Sequence, residues 1–369
     1  MRKKHIYMLK QQKIFFDFLR FCIGSESEIP SSLKEADWEE LYAIAKKQCL
    51  VGVLFDGIKK LPTEQVGMKM GLLFQWIAKN RMLEKANVRL NDAAIQISEW
   101  FRKKGFRTCI LKGQGNALMY PNPYSRTPGD IDIWVEGGDK RVISFVRSIS
   151  PHEKACYHHI EFPPYKGVEV EVHYRPSFLL CFWHNRKLQN FYERMKEEQF
   201  SHRVMLGKQG EIAIPMVEFN LIFQLTHIYA HLMNEGIGLR QLVDYYYVLI
   251  SDDLLLIRDR VQKELKELGL WKFAGGIMYI MQEVFGMPAS RLIVPPNEKC
   301  GKFVLNEVLE AGNFGKHDER NRFGKSKFGH NLQRVYRDIR FMRYFPAEAL
   351  CEPVFRVWHF FWRKSVSIR

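Results

Sequence analysis

Apolar residues recur at helical spacing across residues 38–60, as Leu41, Ile44, Ala45, Val51, Leu54, Phe55 and Ile58. Pro30-Ser31-Ser32 ahead of them supplies turn and cap residues. A longer helical pattern fills 71–104 and stops at Gly105, a residue type suited to a helix C-terminus. There the period changes. Residues 106–111 form a short β-type run, broken by Lys112-Gly113-Gln114-Gly115. Residues 116–120 predict a short helix ended by Pro121, and a loop rich in Pro and Gly runs to Gly129. Residues 131–135 alternate as a strand and 140–150 read as a helix. The runs 157–162 and 168–174, separated by Pro163, Pro164 and Gly167, predict a hairpin. From Phe178 onward helices return, most clearly over 217–234, 239–250 and 254–268. No repeat or low-complexity tract interrupts the pattern. It predicts an α/β (α+β) core with a small mixed sheet over 105–200, a helical N-terminal region over 1–104, and a helical C-terminal domain with a basic tail over 201–369.

Composition changes this picture in three ways. The 369 residues, 46% hydrophobic and 26% charged, are those of a globular chain. No apolar run is long enough for a membrane span, and the basic start Met1-Arg2-Lys3-Lys4 is not followed by the apolar stretch of a signal peptide. Seven scattered cysteines without a Cys-x-x-Cys argue for reduced thiols, a cytoplasmic location, and neither a zinc knuckle nor a disulfide frame. The net charge of +15 favours anionic partners such as nucleotides or nucleic acid. From Lys316 the tail has 13 Lys or Arg against 5 Asp or Glu, interleaved with Phe323, Phe328, Tyr336, Phe341, Tyr344 and Phe345. Such a tail can track a phosphate backbone, or it can be helix surface with core aromatics.

The chemistry concentrates in the α/β segment. In Gly129-Asp130-Ile131-Asp132-Ile133, strand geometry sends Asp130 and Asp132 to one face and the isoleucines to the other. Paired carboxylates need a cation or a shared proton, and Mg²⁺ prefers carboxylates together with phosphate oxygens. In the second hairpin strand, Glu169, Glu171 and His173 alternate with Val168, Val170 and Val172. Alone this is a half-exposed strand. Beside Asp130 and Asp132 it supplies the third carboxylate that two-metal phosphoryl chemistry requires. Upstream, Lys112, Gly113 and Gln114 sit where a strand turns into a helix, a place where backbone N–H groups can receive phosphate, with Lys112 and Arg126 adding charge. The three carboxylates converge with no designated cationic side chain among them, so without metal their repulsion is expected to raise at least one carboxyl pKa.

At these residues the sequence resembles the nucleotidyltransferase superfamily that includes DNA polymerase beta. More closely it resembles an uncharacterised bacterial nucleotidyltransferase family, through Leu111-Lys112-Gly113, Tyr120-Pro121, Arg126, Gly129-Asp130-Ile131-Asp132 and Glu171-Val172-His173-Tyr174-Arg175-Pro176. The resemblance is dense from about 106 to 190 and looser through His227, His231, Arg240 and Asp244. It implies a nucleotidyltransferase that uses Mg²⁺ (or Mn²⁺) to move a nucleoside monophosphate from an NTP to an acceptor. Asp130 and Asp132 would bind both metals, Glu171 the catalytic metal, and Gly113 the triphosphate. Gln114 stands where the superfamily often has a serine hydroxyl that grips phosphate. That departure keeps open a second function, an inactive module that holds nucleotide or RNA.

The supporting residues carry alternatives. Glu169 competes with Glu171 for the third position, and His159 and Glu161 on the partner strand could face the same site. His173 orients a carboxylate or is structural. His227 and His231, four residues apart, share a helix face and line the cleft, pack against Asp244, or bind zinc. Arg240 and Asp244 have the spacing of a helix salt bridge.

Overall fold

The computed structural model describes residues 2–62, 64, 67–208, 210–315 and 327–367. The N-terminal arm is built from α1 (Arg2–Ile23), α2 (Trp38–Lys47), α3 (Val51–Ile58) and α4 (Met70–Lys103). The expected helix over 38–60 is divided in two, because Cys49 takes a left-handed φ of 57° and stops α2. Asp37 starts α2 by accepting hydrogen bonds from the backbone N–H groups of Glu39 and Glu40. α4 ends where the pattern predicted, with Gly105 at φ 80°. In α3, Gly52 is required by close approach: a Cβ there would lie 2.1 Å from the Ser125 carbonyl oxygen. The Thr127 hydroxyl adds a hydrogen bond of 2.7 Å to the Cys49 carbonyl, so the arm holds the 121–129 loop.

The core follows as β1 (Thr108–Ile110), α5 (Gln114–Ala117), β2 (Ile131–Val135), α6 (Gly138–Ile149), β3 (His159–Tyr165) and β4 (Val168–His173). The sheet order is β1-β2-β4-β3. β1 and β3 each pair antiparallel with their neighbour, while β2 and β4 run parallel, which makes the sheet mixed as expected. Registration places Asp132 opposite Glu171, and His173 opposite both Trp134 and His159. Ile110, Ile131, Ile133, Ile160, Val170 and Val172 cover one face and pack with Ile97 and Phe101 of α4 and Val142 and Val146 of α6. The other face carries Asp132, Glu171 and His173, with Cys109 and Trp134 beside them packed into the helical core.

Beyond the sheet come α7 (Phe182–Ser201), a two-stranded antiparallel ribbon of β5 (Arg203–Leu206) and β6 (Gly210–Ala213), then α8 (Val217–Asn234), α9 (Leu239–Leu249), α10 (Leu254–Glu267), α11 (Trp271–Glu283), α12 (Glu298–Ala311), α13 (Lys327–Met342) and α14 (Pro346–Ser367). The ribbon was not foreseen: each strand has four residues, too few to display a period. In the tail, residues 316–326, with Lys316 and Phe323, lie outside the described residues, as does the Phe328 side chain. Phe341 and Phe345 are buried and Tyr344 stacks on Phe303 at 4.3 Å, so these three pack inward, whereas Tyr336 is exposed. Among the described residues no helix is long and apolar enough to cross a membrane.

Candidate functional site

Strand pairing brings the carboxylates together. The Leu111 N–H donates to the Asp132 carbonyl at 3.0 Å, which fixes the chain leaving β1 against β2. Asp130 precedes β2, Asp132 lies within it, and Glu171 stands beside Asp132 on β4. Oxygens of all three lie within 4.8 Å of one another. Asp132 is 1% exposed, and its Oδ2 is buried without a hydrogen-bond partner among the described residues. Hard oxygen donors around an orphaned carboxylate oxygen fit a divalent cation such as Mg²⁺. Glu169 and Glu161 are exposed and stand outside this group, so the structure brings Glu171, and not Glu169, to the two aspartates.

The expectation of unshielded repulsion is overturned. Lys112 Nζ lies 3.0 Å from Asp132 Oδ1, and His173 Nε2 lies 3.1 Å from the same oxygen and 3.4 Å from Glu171 Oε2. Burial would raise the Asp132 carboxyl, but Lys112 and His173 hold it below its ordinary value. Burial is likewise outweighed at Glu171, where His173 and His159 bring the carboxyl down to about 2. The two carboxylates in turn overcome the burial of His173 and lift it to about 9. Lys112, although half-buried, stays above the ordinary lysine value because Asp132, Asp130 and Glu171 surround it. His159, 3.3 Å from Glu171, is lowered to about 4 by burial and by His173. His173 therefore bonds both carboxylates.

A cleft opens beside the aspartates, lined by Lys112, Gly113, Asn116, Asp130, Asp132, His227 and Arg240 among others. Gly113 takes φ 64°, a region that favours glycine, and its missing side chain leaves the turn bare. Lys112 Nζ is 3.2 Å from His227 Nε2, which places His227 in the cleft wall. His231 turns to Glu235 at 3.4 Å and packs edge-on against the His227 ring. Among the described residues, His227 and His231 belong to no group of three candidate metal ligands.

Three assignments change. Gln114 is buried, and its Nε2 donates to the Asn87 carbonyl at 3.4 Å and to Asn91 Oδ1, so its side chain fixes the turn to α4 instead of meeting phosphate. Arg126 reaches the cleft wall, but its guanidinium is committed to Asp244 through two bonds of 2.8 Å. Asp244 accepts a further bond of 2.6 Å from the Tyr120 hydroxyl. Arg126 thus anchors the loop before Asp130 and brings no unpaired charge. Arg240, expected to pair with Asp244, donates from Nη1 to the Thr127 carbonyl at 3.0 Å. Asp244 takes Arg126 because that pair is bidentate. Two contributions escaped sequence reasoning. Asn87 Nδ2 bonds the carbonyls of Tyr124 and Arg126, each at 2.9 Å. Asn116 Oδ1 accepts from Asn220 at 3.3 Å and from Gln224 at 3.2 Å, and the four-residue spacing of those two partners on α8 was the available signal.

Residues 34–286 match a family described as uncharacterised nucleotidyltransferase. A search of curated proteins finds no match. Among solved structures, one similar chain is an antigenic nucleotidyltransferase-like protein from Paracoccidioides brasiliensis, 13% identical, with 49% of this chain and 90% of that chain covered at a TM-score of 0.27. So loose an overlap carries no geometric argument.

Proposed function

We propose, from the premise that this chain belongs to the uncharacterised nucleotidyltransferase family, that it transfers a nucleoside monophosphate from an NTP to an acceptor nucleophile with Mg²⁺ or Mn²⁺ as cofactor. The observation that carries this reading is the convergence of Asp130, Asp132 and Glu171 at the mouth of the Lys112–Gly113 cleft, with one buried aspartate oxygen unpartnered.

Asp130, Asp132 and Glu171 would hold the ions. Ions held there would neutralise charge on the transferring phosphate. The bare backbone at Gly113 admits the triphosphate, and Lys112 exchanges its contact with Asp132 for a phosphate oxygen. The acceptor oxygen bonds to the α-phosphorus as the bond to the bridging oxygen breaks, and pyrophosphate leaves. Glu171, held ionised, accepts the acceptor's proton, with the neutral His159 imidazole beside it to pass the proton outward. His173 positions Asp132 and Glu171 by donating to them.

The division into 1–104, 105–200 and 201–369 serves the same reading. The first segment supplies Asn87 and Asn91 behind the catalytic turn, the second the carboxylates, and the third His227 and Arg240 across the cleft. The reduced thiols belong, in this reading, to a cytoplasmic enzyme.

Purified protein mixed with labelled NTPs, Mg²⁺ or Mn²⁺ and a panel of small-molecule, protein and RNA acceptors is expected to transfer label, and Asp132→Asn to abolish transfer. Undiminished transfer by that variant defeats the assignment. RNA binding with a steep salt dependence and no turnover would favour the holding module instead.

A further inference from the structure

Away from the cleft, the start of α7 meets the first turns of α14. Cys181 caps α7 and His184 lies three residues on, while Glu348 and Cys351 have the same separation on α14. Glu348 and Cys351 therefore project from one face of α14. Ligand atoms of Cys181, His184 and Glu348 all lie within 4.8 Å of one another. Cys351 follows Glu348 by one turn of α14, and neither it nor Cys181 is in a disulfide. These are four side chains of the types that bind zinc, two from each helix, in a pattern without a Cys-x-x-Cys.

Glu348 supplies an independent observation. It is 4% exposed. Its Oε2 accepts from the Leu180 N–H at 2.6 Å and the Cys181 N–H at 3.2 Å. Its Oε1 is buried with no hydrogen-bond partner among the described residues and points toward His184, 3.7 Å from Nδ1. A buried carboxylate oxygen left bare is costly, and a cation placed among these groups would satisfy it.

We propose that Cys181, His184, Glu348 and Cys351 form a structural site for a zinc-type divalent cation, separate from the carboxylate cluster in the cleft. Zinc takes four sulfur, nitrogen and oxygen ligands in a tetrahedron, with bonds that set ligand separations of roughly 3.3–3.8 Å. Cys181, His184 and Glu348 are already within 4.8 Å of one another, and Cys351, one turn beyond Glu348, would rotate in as the fourth ligand. On binding, the two thiols become thiolates and release their protons to solvent. The site ties the C-terminal helix to the segment just after β4. α14 reaches the same region through Phe355, stacked on Phe178 at 5.2 Å and edge-on to Tyr157, whose carbonyl accepts from Arg175 at 2.7 Å. The ion would thus brace the end of the strand that carries Glu171.

The test uses the full chain prepared without a chelating tag under reducing conditions, with added Zn²⁺ or Co²⁺ followed by dialysis. The expected result is one zinc per chain by elemental analysis and, with Co²⁺, tetrahedral visible bands with thiolate charge transfer. Cys181→Ser/Cys351→Ser loses the zinc and the charge-transfer band, while Asp130→Asn/Asp132→Asn keeps both, which separates this site from the one in the cleft. A wild-type readout guards against misfolding of the variant: zinc slows alkylation of Cys351 at least tenfold and leaves the rate at Cys49 unchanged. The proposal is overturned if wild type retains no zinc, if Cys351 is alkylated equally fast with and without zinc, if the double serine variant binds as wild type does, or if Cys181 and Cys351 are found joined as a disulfide.

Discussion

Lys112 Nζ stands 3.0 Å from Asp132 Oδ1, so the most buried carboxylate of the site already has a cation at one of its two oxygens. Lys112 and a metal ion compete for the same negative charge until phosphate draws the ammonium away. Lys112→Met is therefore expected to bind Mn²⁺ more tightly in the absence of NTP, measured by calorimetry, while nucleotide transfer falls by about 10²–10³-fold, the usual cost of removing an electrostatic stabiliser of the transition state. Weaker Mn²⁺ binding in this variant would show that the lysine does not compete.

Metal and nucleotide should stabilise the fold together. Mg²⁺ is shared between carboxylates and phosphates in the proposed complex, and ligands that bind only the folded chain stabilise it by about 2.7 kcal/mol at a hundred times the dissociation constant. Thermal melts are expected to shift upward more with Mg²⁺ plus NTP than with either alone. Asp130→Asn/Asp132→Asn should remove that extra shift, and a variant that keeps it would exclude these aspartates as the metal site.

The Arg126–Asp244 pair is buried on both sides, with side-chain exposures of 4% and 6%. Removing one partner leaves an uncompensated charge, at a cost of about 3–5 kcal/mol. Arg126→Met should lower the urea midpoint accordingly, and Arg126→Met/Asp244→Leu should recover much of the loss. Additive losses in the double variant would mean that the two side chains act separately.

His173 gives the metal-free protein a pH signature. Its pKa rises from 6.5 in the unfolded chain to about 9 in the fold, so its contribution is complete below pH 6.5 and disappears as pH climbs through 9. Over that window wild type should lose on the order of 3 kcal/mol relative to His173→Gln. Denaturation in chelator at a series of pH values measures this, and parallel curves for the two proteins would refute it.

Much of the site was legible because period and chemistry agree there. Alternation in β2 and β4 sorts Ile131, Ile133, Val170 and Val172 from Asp132, Glu171 and His173, and only the parallel pairing of the two strands was needed to join the acidic residues. Arg126 and Gln114 were misread for a common reason. Gln114 lies in the Lys112–Gly115 turn and Arg126 in the loop before Asp130, but their partners, Asn91 and Asp244, are more than twenty residues away, on elements whose packing no local pattern reveals. The same holds for Glu348, whose buried setting depends on a helix arriving from the far end of the chain. Four-residue strands such as β5 and β6 are stabilised by tertiary packing and leave too short a trace to read.

The 34 residues of α4 serve two interiors: Leu72, Trp76 and Leu83 belong to the helical core, whereas Leu90, Ala94, Ile97 and Phe101 back the sheet. Asn87 and Asn91 lie between these groups, where they hold the loop at Arg126 and the turn at Gln114. Breaking the helix midway would expose both interiors at once and release the turn. Amide hydrogens in this middle stretch are thus expected to exchange with solvent only through global opening, and the arm and the sheet to melt as one cooperative unit.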